Sequence, residues 1–238
     1  MSENADPLLT LVYRDTRWLS RLAAAAFVLM AAVCWTVAGF DVAEMRSLAS
    51  GVPDPERTLA HQKAGTLLRI AQLSCAMLLA AAFLPWLYRV RANLRAFGLR
   101  QLRFAREWTY LGFLVPGINA YRPLQIMSEV WCGSVARSAD PVAWRSLATP
   151  GLVTTWWLCF VSWIMVGAWA ASLLALATSV GARTLGHGFA LTADVCAALS
   201  ASLGYLVVTG IQRAQWERSA HREAGDVRDD LLGGQLVA

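Results

Sequence analysis

Four stretches of the chain are apolar for long enough to cross a bilayer, and they set the frame for everything else. About 20 residues of α-helix, rising about 1.5 Å each, cover a hydrocarbon core of about 30 Å. Residues 22–40 carry no charge and stop at Asp41; residues 70–88 form a second such run between Arg69 and Arg89. No charged side chain falls between Arg145 and Arg183, so residues 151–178 make a third span, and residues 189–211 make a fourth, interrupted by Asp194 alone. The pattern predicts an all-α membrane protein with four transmembrane helices.

A fifth apolar stretch, Trp108 to Ile118, has about half the required length and contains Gly112, Pro116 and Gly117. It predicts a short re-entrant or interfacial helical hairpin over 108–135, between the second and third spans. Arginine placement supports this, because short loops rich in Arg and Lys stay cytoplasmic. With four spans and the N-terminus inside, 16 basic residues lie on the inner side and 5 outside. If the fifth stretch crossed, the two sides would hold nearly equal numbers. The expectation is therefore a multi-pass protein of the cytoplasmic membrane with both termini cytoplasmic.

Outside the membrane domain, 22–211, two flanking segments are expected. In residues 1–21, Thr10, Arg14, Arg17 and Arg21 share one helical face, with Leu8, Leu11, Leu19 and Leu22 opposite, which predicts an amphipathic interfacial helix rather than a cleaved signal peptide. In the tail, 212–238, Arg213 and Glu217 are one turn apart, and Gly225 and Gly233-Gly234 predict fraying. Residues 41–66, with Pro53-Asp54-Pro55, read as an ordinary outer connection.

Composition agrees with the pattern. The chain is 57% hydrophobic and 16% charged, which excludes a soluble enzyme with a water-facing surface all round and a disordered chain. Twenty of the 21 basic residues are Arg, the bias a GC-rich bacterial genome produces. The five cysteines form no C-x-x-C and four lie in spans, so neither a disulfide framework nor a metal site is expected. No two of the three histidines stand one turn apart in a span, as a bis-histidine haem would need. Phosphate-binding and dinucleotide glycine motifs, H-E-x-x-H and a nucleophile elbow are all absent. No cofactor and no catalytic role are expected.

The chemistry that does stand out lies between Trp86 and Trp131. Arg89, Arg91, Arg95, Arg100, Arg103 and Arg106 crowd the end of the second span, where guanidinium groups anchor a helix on anionic lipid headgroups. Nucleic acid is not expected at a juxtamembrane position. Pro123 suits the first turn of a helix, Asn119 is placed to cap that turn, and Leu124, Met127, Val130 and Trp131 share one face, with Gln125, Glu129 and Cys132 on another. Glu129, close to a low-dielectric boundary, needs a cationic partner, and Arg89, Arg91 and Arg122 are the candidates. Trp131 fits headgroup depth.

Trp86-Leu87-Tyr88-Arg89 with Asn93, then Pro116-x-x-Asn119, Arg122-Pro123 and Gln125-x-Met127-x-Glu129-x-Trp131, resembles the membrane proteins grouped as domain of unknown function 4328. The order of hydrophobic segments extends the likeness over about 70–211. The resemblance implies an integral membrane domain of several helices and no particular activity.

A second polar candidate is Asp194 inside the fourth span, read either as a solvated residue near the outer boundary or as an intramembrane site, with Arg69 and Gln72 as partners at similar depth and Ser74 nearby. Gly167, Ala171, Ala175 and Ser179 give the third span a small-residue stripe suited to packing within the bundle or to homo-oligomers. Three functional classes follow: a structural or regulatory scaffold whose arginine-rich hairpin binds anionic lipid or a membrane-protein partner; a small-solute or ion pathway using the half-length segment and Asp194; and a membrane-embedded enzyme.

Overall fold

The computed structural model describes residues 13–50, 55–99, 101–105, 107–115, 117–136 and 142–235, with the side chains of 55–58 and 222–235 left out of that description. Six α-helices follow one another among these residues: α1 (Arg17–Ala49), α2 (Pro55–Ala96), α3 (Trp108–Leu114), α4 (Arg122–Val135), α5 (Gly151–Leu176) and α6 (Val180–Gln235). Short 3-10 turns at Ile118–Ala120 and Ala143–Ser146 precede α4 and α5, and the described residues contain no strand.

Four of these helices are long and apolar enough to cross a membrane, within Arg17–Ala49, Leu59–Ala96, Gly151–Leu176 and Val180–His221. α1, α2 and α6 are much longer than the apolar runs inside them. Backbone hydrogen bonding continues wherever helix formers follow, so apolar length sets the span and not the helix end. The connection expected over 41–66 is accordingly mostly helical: α1 continues to Ala49, and α2 starts at Pro55, whose missing N–H costs nothing in a first turn. α6 likewise continues past Gly225 and Gly233 to Gln235.

Where it is described, from residue 13, the N-terminal segment is helical only from Arg17. The physical reason is a backbone clamp: Asn93 accepts from the Arg14 amide at 3.1 Å and donates to the Arg14 carbonyl at 3.0 Å, which ties up both backbone groups of this residue outside a helix. Leu8, Thr10 and Leu11 lie outside the described residues.

The chain divides into two compact units. One comprises Arg21–Phe83 and Gly151–Val207 and contains the apolar parts of the long helices. Its core is built by Phe27, Cys34, Val37, Phe83, Trp156 and Trp157, with small residues of α6 such as Ala197, Ala198 and Ala201 buried against them. Phe27 meets Phe83 edge-on at 5.7 Å, and Ser200 donates to the Trp156 carbonyl at 3.4 Å. Much of α5 is outward-facing, with Leu158, Met165, Trp169 and Leu176 exposed, as lipid-facing side chains are.

The other unit comprises Met1–Ser20, Leu84–Pro150 and Val208–Ala238. Here α2 ends in a Schellman motif: Gly98 takes φ +82°, its amide donates to Arg95, and the Leu99 amide donates to the Leu94 carbonyl at 3.1 Å. Gly133 of α4 lies so close to this cap that a Cβ there would stand 2.9 Å from Leu99 and 3.1 Å from Leu94. Gly117, at φ +80°, turns the chain between α3 and the 3-10 turn.

Candidate functional site

Two polar centres stand out, one in each unit. The first is organised by Arg91 on α2. Leu87, Val90 and Leu94 are fully buried, and Arg91 falls on the same stripe with only 4% exposure. A guanidinium placed there must satisfy all five N–H donors. Nε and Nη2 donate to Glu129 Oε1 at 3.2 and 3.1 Å; Nη1 donates to the Ala105 carbonyl at 2.8 Å and to Thr109 Oγ1 at 3.1 Å; Nη2 also donates to the Phe104 carbonyl. The second Glu129 oxygen accepts from the Arg103 amide at 2.6 Å. One buried cation is thus balanced by one buried anion, and the pair fixes α2, α4 and the chain between them.

A neutral relay runs beside it. Asn93 donates to Gln215 Oε1 at 3.2 Å; Gln215 Nε2 donates to the Val90 carbonyl and to Ser134 Oγ, both at 3.0 Å; Ser134 donates to the Val130 carbonyl at 2.7 Å. Gln215 is fully buried. Arg218 extends the set, donating to the Gly133 and Phe97 carbonyls at 2.9 and 3.3 Å.

The residues singled out from the sequence divide by environment. Trp86 is fully buried, as is Asn93 to within 3%. Arg122 lies over the Phe104 and Trp108 rings, at 4.5 and 5.1 Å, and donates to Gln125 at 3.2 Å; Pro123 occupies the first turn of α4. Trp131 packs on α6, where a Cβ at Gly210 would meet it at 2.8 Å. Arg89 is exposed. Two expectations need correction. Tyr121, not Asn119, is the N-cap of α4, with no side-chain cap bond, and Asn119 is exposed in the 3-10 turn. Glu129 and Cys132 are not on a polar face: both are buried with Met127 and Val130, because Arg91 draws the carboxylate inward. Pro116 lies outside the described residues. Cys132 sits near the Leu147 and Ala148 carbonyls, and burial pushes its thiol above the usual range.

The second centre joins α1, α2 and α6. Arg69 donates to Asp194 Oδ2 at 2.7 Å and to Asp41 Oδ2 at 2.6 Å. Gln72 donates to Asp194 Oδ1 at 2.7 Å, and His187 Nδ1 lies 3.0 Å from Asp41 Oδ1. Gln72 also approaches Cys34 Sγ at 3.5 Å. Both carboxylates are about 1% exposed, while the Arg69 side chain is 40% exposed. The structure therefore brings Asp194, Arg69 and Gln72 together and adds Asp41 and His187. Ser74 makes no part of it. Reading from sequence missed the two additions because each stands near the end of an apolar run, where a polar residue is expected anyway.

These helices define a polytopic α-helical membrane protein with two internally bonded polar centres. The chain belongs to the family described as Domain of unknown function (DUF4328), which it matches over residues 49–213. That interval covers α2 to α5 and α6 as far as Arg213; it includes Arg91, Glu129, Arg69, Gln72, His187 and Asp194, and leaves out Asp41, Gln215 and Arg218. No curated protein and no solved structure matches the chain.

Proposed function

We propose that this chain is a non-enzymatic structural or regulatory protein of a bacterial cytoplasmic membrane, which holds anionic lipid headgroups at the inner face through arginines around the segment that follows α2. The observation that carries this reading is a division of labour among the arginines. Arg91, Arg122 and Arg218 are spent on internal bonds. Arg14, Arg89 and Arg95 are exposed and make no ion pair among the described residues. Internal donors of the first kind build the segment; cations of the second kind are left for phosphates, each worth about 1 kcal/mol near an anionic surface.

The same reading makes α3 and α4 a re-entrant or interfacial hairpin. α3 has seven residues, about 10 Å of helix against a core of about 30 Å. Gly117 then turns the chain, and α4 is tied back to α2 by Glu129. Both termini stay on the hairpin's side.

The test is lipid retention by the purified full chain, comparing phosphatidylglycerol with phosphatidylcholine. Preferential retention of the anionic lipid, lost in Arg89→Gln with Arg95→Gln, supports the reading. Equal retention of the two lipids, together with crosslinks from this segment to another protein, replaces lipid by a protein partner.

A further inference from the structure

The second polar centre places two buried carboxyl groups on one guanidinium. Arg69 Nη2 meets Asp41 Oδ2 at 2.6 Å and Nη1 meets Asp194 Oδ2 at 2.7 Å, so the two terminal nitrogens of one cation hold oxygens of different side chains. This brings Asp41 and Asp194 into hydrogen-bond contact with each other. An ionised carboxylate accepts hydrogen bonds and cannot donate one, so a bond between two aspartates needs a proton on one of them. Like charges this close also resist ionising together.

Charge counting leads to the same place. Asp41 is 1% exposed and Asp194 0%. Around them, α2 supplies Arg69 and the neutral Gln72, whose amide donates to Asp194 Oδ1 at 2.7 Å; α6 supplies His187, whose Nδ1 lies 3.0 Å from Asp41 Oδ1. α5 carries no charged residue between Gly151 and Leu176. Glu44, one turn beyond Asp41 on α1, is engaged by His61 at 2.8 Å, and Arg183, one turn before His187, is exposed. One guanidinium against two ionised carboxylates leaves a negative charge buried, which is destabilising. One proton on the aspartate pair removes it. A protonated His187 would also balance the sum, but it would leave two carboxylates in contact with no donor between them.

The proton has a way in and out. The side chains of His187 and Arg69 are 19% and 40% exposed, so the cluster reaches the surface on both sides of the aspartates. Imidazole takes a proton from water at Nε2 as it gives the Nδ1 proton to Asp41 Oδ1, and the reverse path releases it.

We propose that Asp41 and Asp194 share one exchangeable proton that locks α1 to α6 across Arg69, and that the lock loosens when the proton leaves as pH rises. With the proton gone, two carboxylates repel each other across a single guanidinium. The inference is independent of lipid binding by Arg89 and Arg95, which belong to the other unit.

The experiment is infrared spectroscopy of the full chain in micelles, with and without carbon-13 in the aspartate carboxyl groups, from about pH 6 to about pH 9. Ordinary aspartates release their proton near about pH 3.9, so at about pH 6 roughly one in a hundred keeps it. The expected result is a label-sensitive carboxylic-acid C=O band at about pH 6 that fades toward about pH 9. Asp194→Asn should remove the band, and Asp15→Asn, at an exposed aspartate, should retain it. Stability should follow. The folded chain keeps a proton that the unfolded chain has released, so the unfolding equilibrium constant should rise by up to tenfold per pH unit until the band has gone. In Asp194→Asn one guanidinium faces one carboxylate, and that slope should be lost. Absence of a labelled acid band from the unaltered chain at about pH 6 overturns the proposal, whether or not any variant folds. A band unchanged at about pH 9, or one that survives in Asp194→Asn, overturns it equally.

Discussion

Arg91 and Glu129, 38 positions apart in sequence, form a fully buried ion pair in which no guanidinium donor is left over. Removing one partner of such a pair strands a charge, at a cost of about 3–5 kcal/mol. Glu129→Ala should therefore destabilise the chain by about that much. Replacing both residues by apolar ones should cost less than the sum of the single changes, since neither charge is then stranded. Thermal or denaturant unfolding of the four chains of this cycle measures the coupling. An additive cycle would show that the pair does not act as a unit.

Gly98 closes α2 at φ +82°, a conformation that costs an L-residue roughly 1–2 kcal/mol. Gly98→Ala should lower stability by about that amount while leaving lipid retention unchanged, because it introduces strain without removing a charge. Gly98→Asn should lose less, as Asn tolerates this backbone region better. The comparison is made by unfolding of the three purified chains.

Cys132 offers a pH-dependent reading of the segment around α4. The thiolate is the reactive form, and burial raises the thiol above its ordinary range, so less thiolate exists at a given pH. Alkylation of Cys132 should lag behind that of a small free thiol near pH 8 and accelerate as pH rises further. Site-resolved mass spectrometry after timed maleimide or iodoacetamide treatment checks this. Glu129→Ala, which loosens α4, should remove part of the lag.

If exposed arginines near the end of α2 hold anionic lipid, Arg89→Gln with Arg95→Gln should weaken phosphatidylglycerol binding by about 2 kcal/mol, roughly thirtyfold. The wild-type affinity should also fall as salt is raised, since exposed charges are screened over about 8–10 Å at ordinary ionic strength. Titration at two salt concentrations distinguishes this from a loss of folding, which salt would not mimic.

The four spans were legible because a bilayer imposes a length on apolar runs. Helix ends were not: α1, α2 and α6 continue well past the apolar runs, where hydropathy carries no signal. The pairing of Asp194 with Arg69 and Gln72 followed from equal depth, but Asp41 and His187 looked like boundary residues. The near-equal spacing of Asp41, Arg69 and Asp194 from arginines at the other ends of their uncharged runs, nineteen, nineteen and eighteen residues, was the signal that would have found Asp41. Three arginines competed for Glu129, and the buried stripe Leu87, Val90, Leu94 singles out Arg91 while excluding Arg89. Gln215 and Ser134 had no such mark. Gln215 is buried by meeting Asn93 and Ser134 by meeting Gln215, and no local pattern encodes contacts between residues so far apart in sequence.

The most direct test of the topology uses the chemistry of a chain with one lysine. Lys63 is exposed near the start of α2, and Ser146 is exposed between α4 and α5. Intact cells carrying Ser146→Lys are treated with an amine-reactive reagent that cannot cross the membrane, and the two positions are read by mass spectrometry. The account predicts labelling at Lys63 alone, with the introduced amine reacting only after the membrane is opened. Labelling at position 146 in intact cells would mean that the segment after α2 crosses the membrane, and would contradict the account.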